Sequence, residues 1–293
     1  MLKMSSKESS YTPIILLGAA RSGTKMLRDI IATHPEINKI PFDVNFIWKY
    51  NNEKVEHDAL TVKDVNQNAV KFIKKYLQKA AAGKPYLIEK TVSNTLRVDF
   101  IREVVPNAKF IYLIRDGRDV VESVSRQWGK APSNKYIIDK LKVFPVSKVL
   151  SYGLKYGIDL VKILLLGKPS ESYVWGVKYP DFEKDLASKD VLEFCAKQWC
   201  KTIEISEAQI YNIPTEKTLK ISYENFVTNP KYYLNKIANF IGVEYNFPEQ
   251  NIEKINSDNI GKGFKSLDTN SQNKVLHIIE PTLKKLNYLS AKI

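Results

Sequence analysis

The chain has 293 residues, a formal net charge of +13, 44% hydrophobic residues and 11% aromatic residues. That length and hydrophobic content exclude a disordered chain and allow one large α/β domain with a substantial core. The positive balance favours a polyanionic partner, whether nucleic acid, an acidic membrane surface or a multiply phosphorylated cofactor.

Residues 1–12 are polar and read as a flexible N-terminus, so the folded domain is expected over 13–293. No segment there has the apolar length of a signal peptide, and no stretch of the chain reaches the roughly 18 apolar residues of a membrane span. Those features give the expectation of a soluble, cytoplasmic protein. Ile14 to Leu17 then form a continuous apolar run too short for a helix. After Gly18-Ala19-Ala20-Arg21-Ser22-Gly23, the apolar residues Met26, Leu27, Ile30 and Ile31 recur at helical spacing. The spacing predicts a buried strand, a tight loop and a helix whose first turn holds Ser22, Gly23 and Thr24. A helix start of this kind presents free backbone N–H groups and a positive dipole end, which together attract a phosphate-like anion. A nucleoside-triphosphate loop would read G-x-x-x-x-G-K-[ST], with its hydroxyl on magnesium. Here Thr24 precedes Lys25, so the cradle is present and the metal-binding hydroxyl is misplaced.

Pro35 ends this helix, and an apolar segment from Ile40 to Trp48 follows, interrupted by Asp43. A helix is expected over 61–82, closed by Gly83 and Pro85, and then a strand, Tyr86 to Lys90, ending on Glu89 and Lys90. A second helix is expected over 91–105. Lys109 to Ile114 is the next strand and runs straight into Arg115-Asp116-Gly117-Arg118-Asp119, before a helix over 120–128. Between 131 and 174 the pattern changes to a helical insertion, apolar on one face, with Lys148, Lys155 and Lys162 on another. Its expected uses are a helix packed on the domain, a lid over a substrate, or a peripheral membrane contact through 135–166. A long helix over 191–211 carries Cys195 and Cys200, which point apart and read as small buried residues of a reducing compartment. A strand over 218–222, a helix over 230–241 capped by Gly242, a loop from Ile260 to Lys265 and a last helix over 270–286 complete the chain. Strand–helix alternation predicts an α/β fold, a three-layer parallel sheet with helices on both faces. Ligands of such sheets sit beyond the carboxyl ends of the strands, where Arg21, Lys90 and Arg115 fall.

Arg115 decides between chemistries. A metal-using phosphotransferase places a carboxylate after a strand of this kind. A guanidinium cannot ligate a cation, but its fork suits phosphate or sulfate oxygens, and Ser123 in the next helix can donate a hydroxyl to the same group.

With the loop and Arg115 in hand, the chain resembles the sulfotransferases that use 3′-phosphoadenosine-5′-phosphosulfate (PAPS). The likeness is to their tyrosyl-protein and bacterial branches, and it implies their P-loop NTPase-like fold. It is carried by Arg21 to Thr24, by Lys109 to Ser123, and by Glu89-Lys90-Thr91 with Asn94. Gln198-Trp199, Ser222 to Val227, Phe240 to Val243 and the loop from Ile260 to Lys265 extend it. The resemblance implies that Arg21, Ser22, Gly23, Thr24 and Lys25 hold the 5′-phosphosulfate. It places Arg115 and Ser123 on the 3′-phosphate, and closes Tyr223, Ser257, Lys262, Gly263 and Lys265 around the nucleotide. Gly263 stands where the family more often has an aromatic residue, with Phe264 after it.

Sulfuryl transfer of this type is an in-line attack by an acceptor hydroxyl. Positioning and cationic stabilisation dominate it, so Arg21 and Lys90 are the expected partners of the developing charge and no metal is expected. Asp43, on the segment where related enzymes place a base, is the expected general base. Its neighbours Phe42, Val44, Phe46 and Trp48 would leave it poorly solvated and more basic. His34 is the alternative. The acceptor is not readable and could be carbohydrate, lipid, peptide tyrosine or a small alcohol. Two other readings remain: a P-loop kinase using ATP and magnesium, and a non-enzymatic nucleic-acid-binding protein. The second conflicts with cations gathered on strand ends instead of one exposed face, so no nucleic-acid partner is expected.

Overall fold

The computed structural model describes residues 11–128, 175–188 and 190–289. Five parallel strands, β1 (Thr12–Leu17), β2 (Ile37–Lys39), β3 (Tyr86–Glu89), β4 (Lys109–Ile114) and β5 (Thr218–Ser222), lie in the order β2-β3-β1-β4-β5. Their residues alternate between two cores. Ile15, Leu17, Leu87, Phe110 and Tyr112 enter one core, while Ile14, Leu16, Ile88, Ile111 and Leu113 enter the other. Burial on both faces is why β1 and β4 read as apolar runs.

The first core is covered by α2 (Gln67–Ala81), α3 (Val98–Val104), α4 (Gly117–Ser125), α5 (Val191–Ile210) and α8 (Thr269–Lys285). The second is covered by α1 (Thr24–Ile31), α6 (Tyr223–Thr228) and α7 (Pro230–Ile241). The three-layer α/β sheet expected from the sequence is therefore the observed architecture. Cys195 and Cys200 are both buried and unpaired.

Differences from the expected elements have local causes. β2 went unforeseen because three residues are too few for a periodic signal. The helix expected over 61–82 is split, because Thr61 and Asp64 close a capping box on a single turn and Asn66 then caps α2 by accepting from Ala69 N–H. The helix expected over 91–105 is likewise a turn, Val92–Leu96, followed by α3. There the side chains of Ser93, Asn94 and Thr95 bond to other parts of the chain. β1 begins at Thr12, one residue before the expected domain start, and Tyr11 packs on the first core. The insertion over 131–174 and its membrane contact lie outside the described residues. Among the described residues, no helix is long and apolar enough to cross a membrane.

Candidate active site

The β1–α1 loop is built for a close approach. A Cβ on Gly18 would lie 2.6 Å from the Leu113 carbonyl oxygen, so only glycine lets β1 leave the sheet beside β4 there. Thr95 pins the loop, accepting from Gly18 N–H at 3.0 Å and donating to its carbonyl at 3.1 Å. Gly23 is the N-cap of α1 with φ 86° and offers no side-chain cap, and a Cβ on it would strike the Tyr223 ring at 2.7 Å. The first N–H groups of α1 have no intrahelical acceptor. Ser22 Oγ is buried without a hydrogen-bond partner among the described residues. Together these donors form an anion cradle.

Arg21 also has a positive φ, 65°, an unusual conformation for a residue other than glycine. Its Nε donates to Ser123 Oγ at 3.0 Å, so a side chain from the β1–α1 loop meets the helix that follows β4. A hydroxyl that accepts from Arg21 keeps its own proton for an anion. Partial desolvation, then repulsion from Arg126 and Arg115, hold the Arg21 guanidinium below its ordinary value. Arg115 donates to the Arg21 carbonyl at 3.1 Å and to the Asn259 carbonyl at 3.3 Å, and its guanidinium lies 4.3 Å from the centre of the Tyr223 ring. Its Nε, like Ser22 Oγ, is buried without a partner among the described residues. Arg21, Ser22, Gly23, Ser123, Arg115 and Tyr223 thus converge on one rim.

Asp119 joins this rim to the later loop and was not singled out in the sequence. Its carboxylate, 3% exposed, accepts from Gly261 N–H at 2.7 Å and Phe264 N–H at 3.2 Å, and faces Arg115 at 3.7 Å. Its only sequence signal is its place in Arg115-Asp116-Gly117-Arg118-Asp119. Gly263 packs close over Glu122 and Asp119, where a Cβ would lie 2.9 Å from Glu122 Oε2 and 3.3 Å from Asp119 Oδ1, so a side chain there would have to displace these carboxylates. Lys25, Ser257, Lys262 and Lys265 are exposed around these elements. Asp119→Ala removes two charge-assisted hydrogen bonds, so trypsin should cut after Lys262 and Lys265 about ten times faster in that variant. Equal cutting rates would contradict the anchoring.

At the tip of β3, Lys90 Nζ pairs with Asp43 Oδ1 at 2.8 Å, and Asp43 Oδ2 accepts from Val92 N–H at 3.3 Å. The poorly solvated setting expected for Asp43 is not what it has. Phe42, Val44 and Trp48 turn into the core, leaving its side chain 30% exposed against an ammonium. His34 lies elsewhere, at the far end of α1. Its Nδ1 accepts from Glu36 N–H, which leaves Nε2–H to donate to the Glu244 carbonyl at 3.1 Å, and its ring meets Phe247 edge-on. That is a packing histidine.

Beside Asp43, Glu89 is fully buried, and burial first, then the Asp43 charge, push its carboxyl up to about 7 against opposing hydrogen bonds and Arg97. Between the ordinary carboxyl value and about 7, the folded protein holds a proton that the unfolded chain has lost. The stability from this group is complete at low pH and lost as pH rises through about 7. Unfolding free energy should fall by about 1 kcal/mol between pH 6 and pH 8 from this source. Urea titrations of Glu89→Gln should show that slope removed, and an unchanged slope would contradict the assignment.

Chemically, the rim can grip an anion at two neighbouring positions, one at the start of α1 and one at Arg115, with the Asp43–Lys90 ion pair at the tip of the neighbouring strand β3. The donors are guanidinium, ammonium, hydroxyl and backbone N–H groups, which suit phosphate and sulfate oxygens. Among the described residues, no three His, Cys, Asp or Glu side chains gather in a metal-binding cluster.

Residues 13–144 match the Sulfotransferase family. A protein-tyrosine sulfotransferase of Drosophila melanogaster is 22% identical over 246 residues, which cover 80% of this chain and 39% of that protein. Human protein-tyrosine sulfotransferase 1 is 31% identical over 124 residues, 38% of this chain and 34% of that one. The chain thus spans well under two thirds of these relatives' length. Among solved structures, the sulfotransferase from Alicyclobacillus acidocaldarius superposes with a TM-score of 0.56 at 14% identity, covering 96% of both chains. That similarity is one of fold.

Proposed function

The chain is related to the sulfotransferase family and has the sulfotransferase fold, and from that premise we propose that it transfers a sulfuryl group from PAPS to an acceptor hydroxyl. The observation that carries this reading is the pair of buried donors, Ser22 Oγ and Arg115 Nε, without partners among the described residues and on one rim with the open start of α1. A bisphosphorylated nucleotide offers anionic groups to both. Bound there, PAPS would supply an activated sulfuryl group on its 5′-phosphate.

The chain's own residues do the rest. Backbone N–H groups of Gly23, Thr24 and Lys25, with Ser22 Oγ, receive the 5′ end. Arg115 and the Ser123 hydroxyl receive the 3′-phosphate, and Tyr223 with the loop of Ser257, Lys262, Gly263 and Lys265 closes over the nucleotide. Arg21, held beside Ser123, and Lys90 offset charge that grows on the leaving and equatorial oxygens. Asp43 takes the proton of the acceptor hydroxyl, and its ion pair with Lys90 keeps both groups at one spot until the acceptor arrives. A protein tyrosine is the acceptor class we favour, because the relatives above are so named, and the net charge of +13 suits tyrosines flanked by acidic residues.

The test is chromatographic detection of 3′-phosphoadenosine-5′-phosphate (PAP) released from PAPS with a tyrosine-containing acidic peptide in EDTA. Peptide-stimulated release with peptide sulfation is expected. Magnesium-dependent consumption of ATP in place of PAPS would overturn the proposal in favour of a kinase.

A further inference from the structure

Under the β3 tip lies a buried polar cluster that the chemistry above does not use. We propose that Glu89 is a positioning residue, which holds Asp43 and Lys90 in working register by suspending the backbone and side chain of Val44 and Asn45 from one buried carboxylate. The proposal rests on the reading of Asp43 and Lys90 given above.

Thr91 Oγ accepts from Val44 N–H at 2.8 Å, so its single proton goes to Glu89 Oε1, 2.5 Å away. Asn94 Oδ1 accepts from Arg97 Nε at 2.9 Å, which turns the Asn94 amide so that Nδ2 donates to Glu89 Oε2 at 2.5 Å. Arg97, also fully buried, donates from Nη2 to Asn45 Oδ1 at 2.6 Å. Both residues that follow Asp43 therefore hang from Glu89, one through Thr91 and one through Asn94 and Arg97. Lys90 sits between Glu89 and Thr91 in sequence, so the same bonds fix its backbone. The Thr91 hydroxyl and the Asn94 amide both donate to Glu89, one to each oxygen, an arrangement complete only when the carboxylate is ionised. Protonation would set a carboxylic O–H against the Thr91 hydroxyl or the Asn94 amide, and loosen the tie to Asp43.

The charged and titratable groups facing Glu89 are Asp43, Arg97 and Tyr76, whose phenol its charge helps to raise. Burial leaves Glu89 poised near neutrality, so the tie should weaken as pH falls through about 7. A merely structural carboxylate would change stability and leave the acid limb of turnover in place.

The experiment pairs two readouts on the full chain. The amide signal of Val44 is followed by nuclear magnetic resonance against pH, and PAP formation from PAPS is followed with a tyrosine-containing acidic peptide. In the wild type, the Val44 amide should titrate with a midpoint near 7, and Glu89→Gln should remove that titration. Glu89→Gln and the near-isosteric Thr91→Val should lower turnover by about 10–100-fold, with the KM for PAPS within about twofold of wild type. Thr91→Ser, which keeps the hydroxyl, should recover most of what Thr91→Val loses. The acid limb near pH 7 should vanish in Glu89→Gln. Unchanged turnover in Glu89→Gln and Thr91→Val, or a Val44 amide indifferent to Glu89, overturns the proposal. A wild type that turns over no PAPS overturns the reading of Asp43 and Lys90, and is told apart because the Val44 titration needs no substrate.

Discussion

Asp43→Asn should lower PAPS turnover by about 10²–10⁴-fold while PAP binds within about twofold of the wild-type affinity. The substitution keeps an oxygen that can accept from Lys90 or Val92 N–H, so the segment stays in place, but an amide cannot take a proton from an acceptor hydroxyl. The effect should fall on kcat, because the nucleotide cradle is built on β1 and β4, and Asp43 reaches it only across β3. Steady-state rates of PAP formation alongside calorimetric PAP binding make the comparison. Near-normal turnover in a variant that binds PAP would remove Asp43 from the mechanism, and no other described carboxylate lies in contact with Lys90. The paired geometry also predicts that Lys90→Ala loses turnover, since the ammonium is needed for the transferred group and for aligning Asp43.

Arg115→Ala should weaken PAP by about 10²–10³-fold, the loss of one buried, bidentate, charge-assisted contact worth about 3–4 kcal/mol. The guanidinium is held on one side by the Tyr223 ring and on another by the Arg21 and Asn259 carbonyls, with Asp119 at 3.7 Å. That scaffold fixes its direction before a ligand arrives, and Nε is left without a partner among the described residues. Arg115→Lys should recover little, because an ammonium offers neither the planar fork nor the stacking on Tyr223. Calorimetry with PAP checks both variants. Affinity within about threefold of wild type for Arg115→Ala would show that the anion is gripped elsewhere.

The frame of this site was legible in the sequence, because strands buried on both faces and the helix beginning after Gly23 leave strong local signals, although the helix after β4 starts at Gly117 and not at the expected Val120. The apolar runs at Ile14 to Leu17 and Lys109 to Ile114 predicted β1 and β4, and they placed Arg21 and Arg115 at neighbouring strand tips. What stayed hidden was long-range hydrogen bonding. Nothing near Thr95 in sequence says that its hydroxyl clamps Gly18, and nothing near Asp119 says that it holds Gly261 and Phe264. The setting of Asp43 was misjudged for a related reason. Sequence neighbours predict solvation only when side chains share a face, and here Phe42 and Val44 turn inward while Asp43 turns toward Lys90. The bond between Arg21 and Ser123 was equally invisible, because the two belong to separate strand–helix crossovers. It draws the expected 5′ and 3′ positions into one continuous cationic rim.

For sulfuryl transfer from PAPS, that rim must accept one nucleotide at both ends. Titration calorimetry of the full chain with PAP, ADP and ATP in EDTA tests this most directly. Tight binding of PAP, with ADP and ATP weaker by about 10²-fold or more for want of the 3′-phosphate, is the predicted result. Equal binding of ADP and PAP, or binding only of ATP once magnesium is restored, would contradict it.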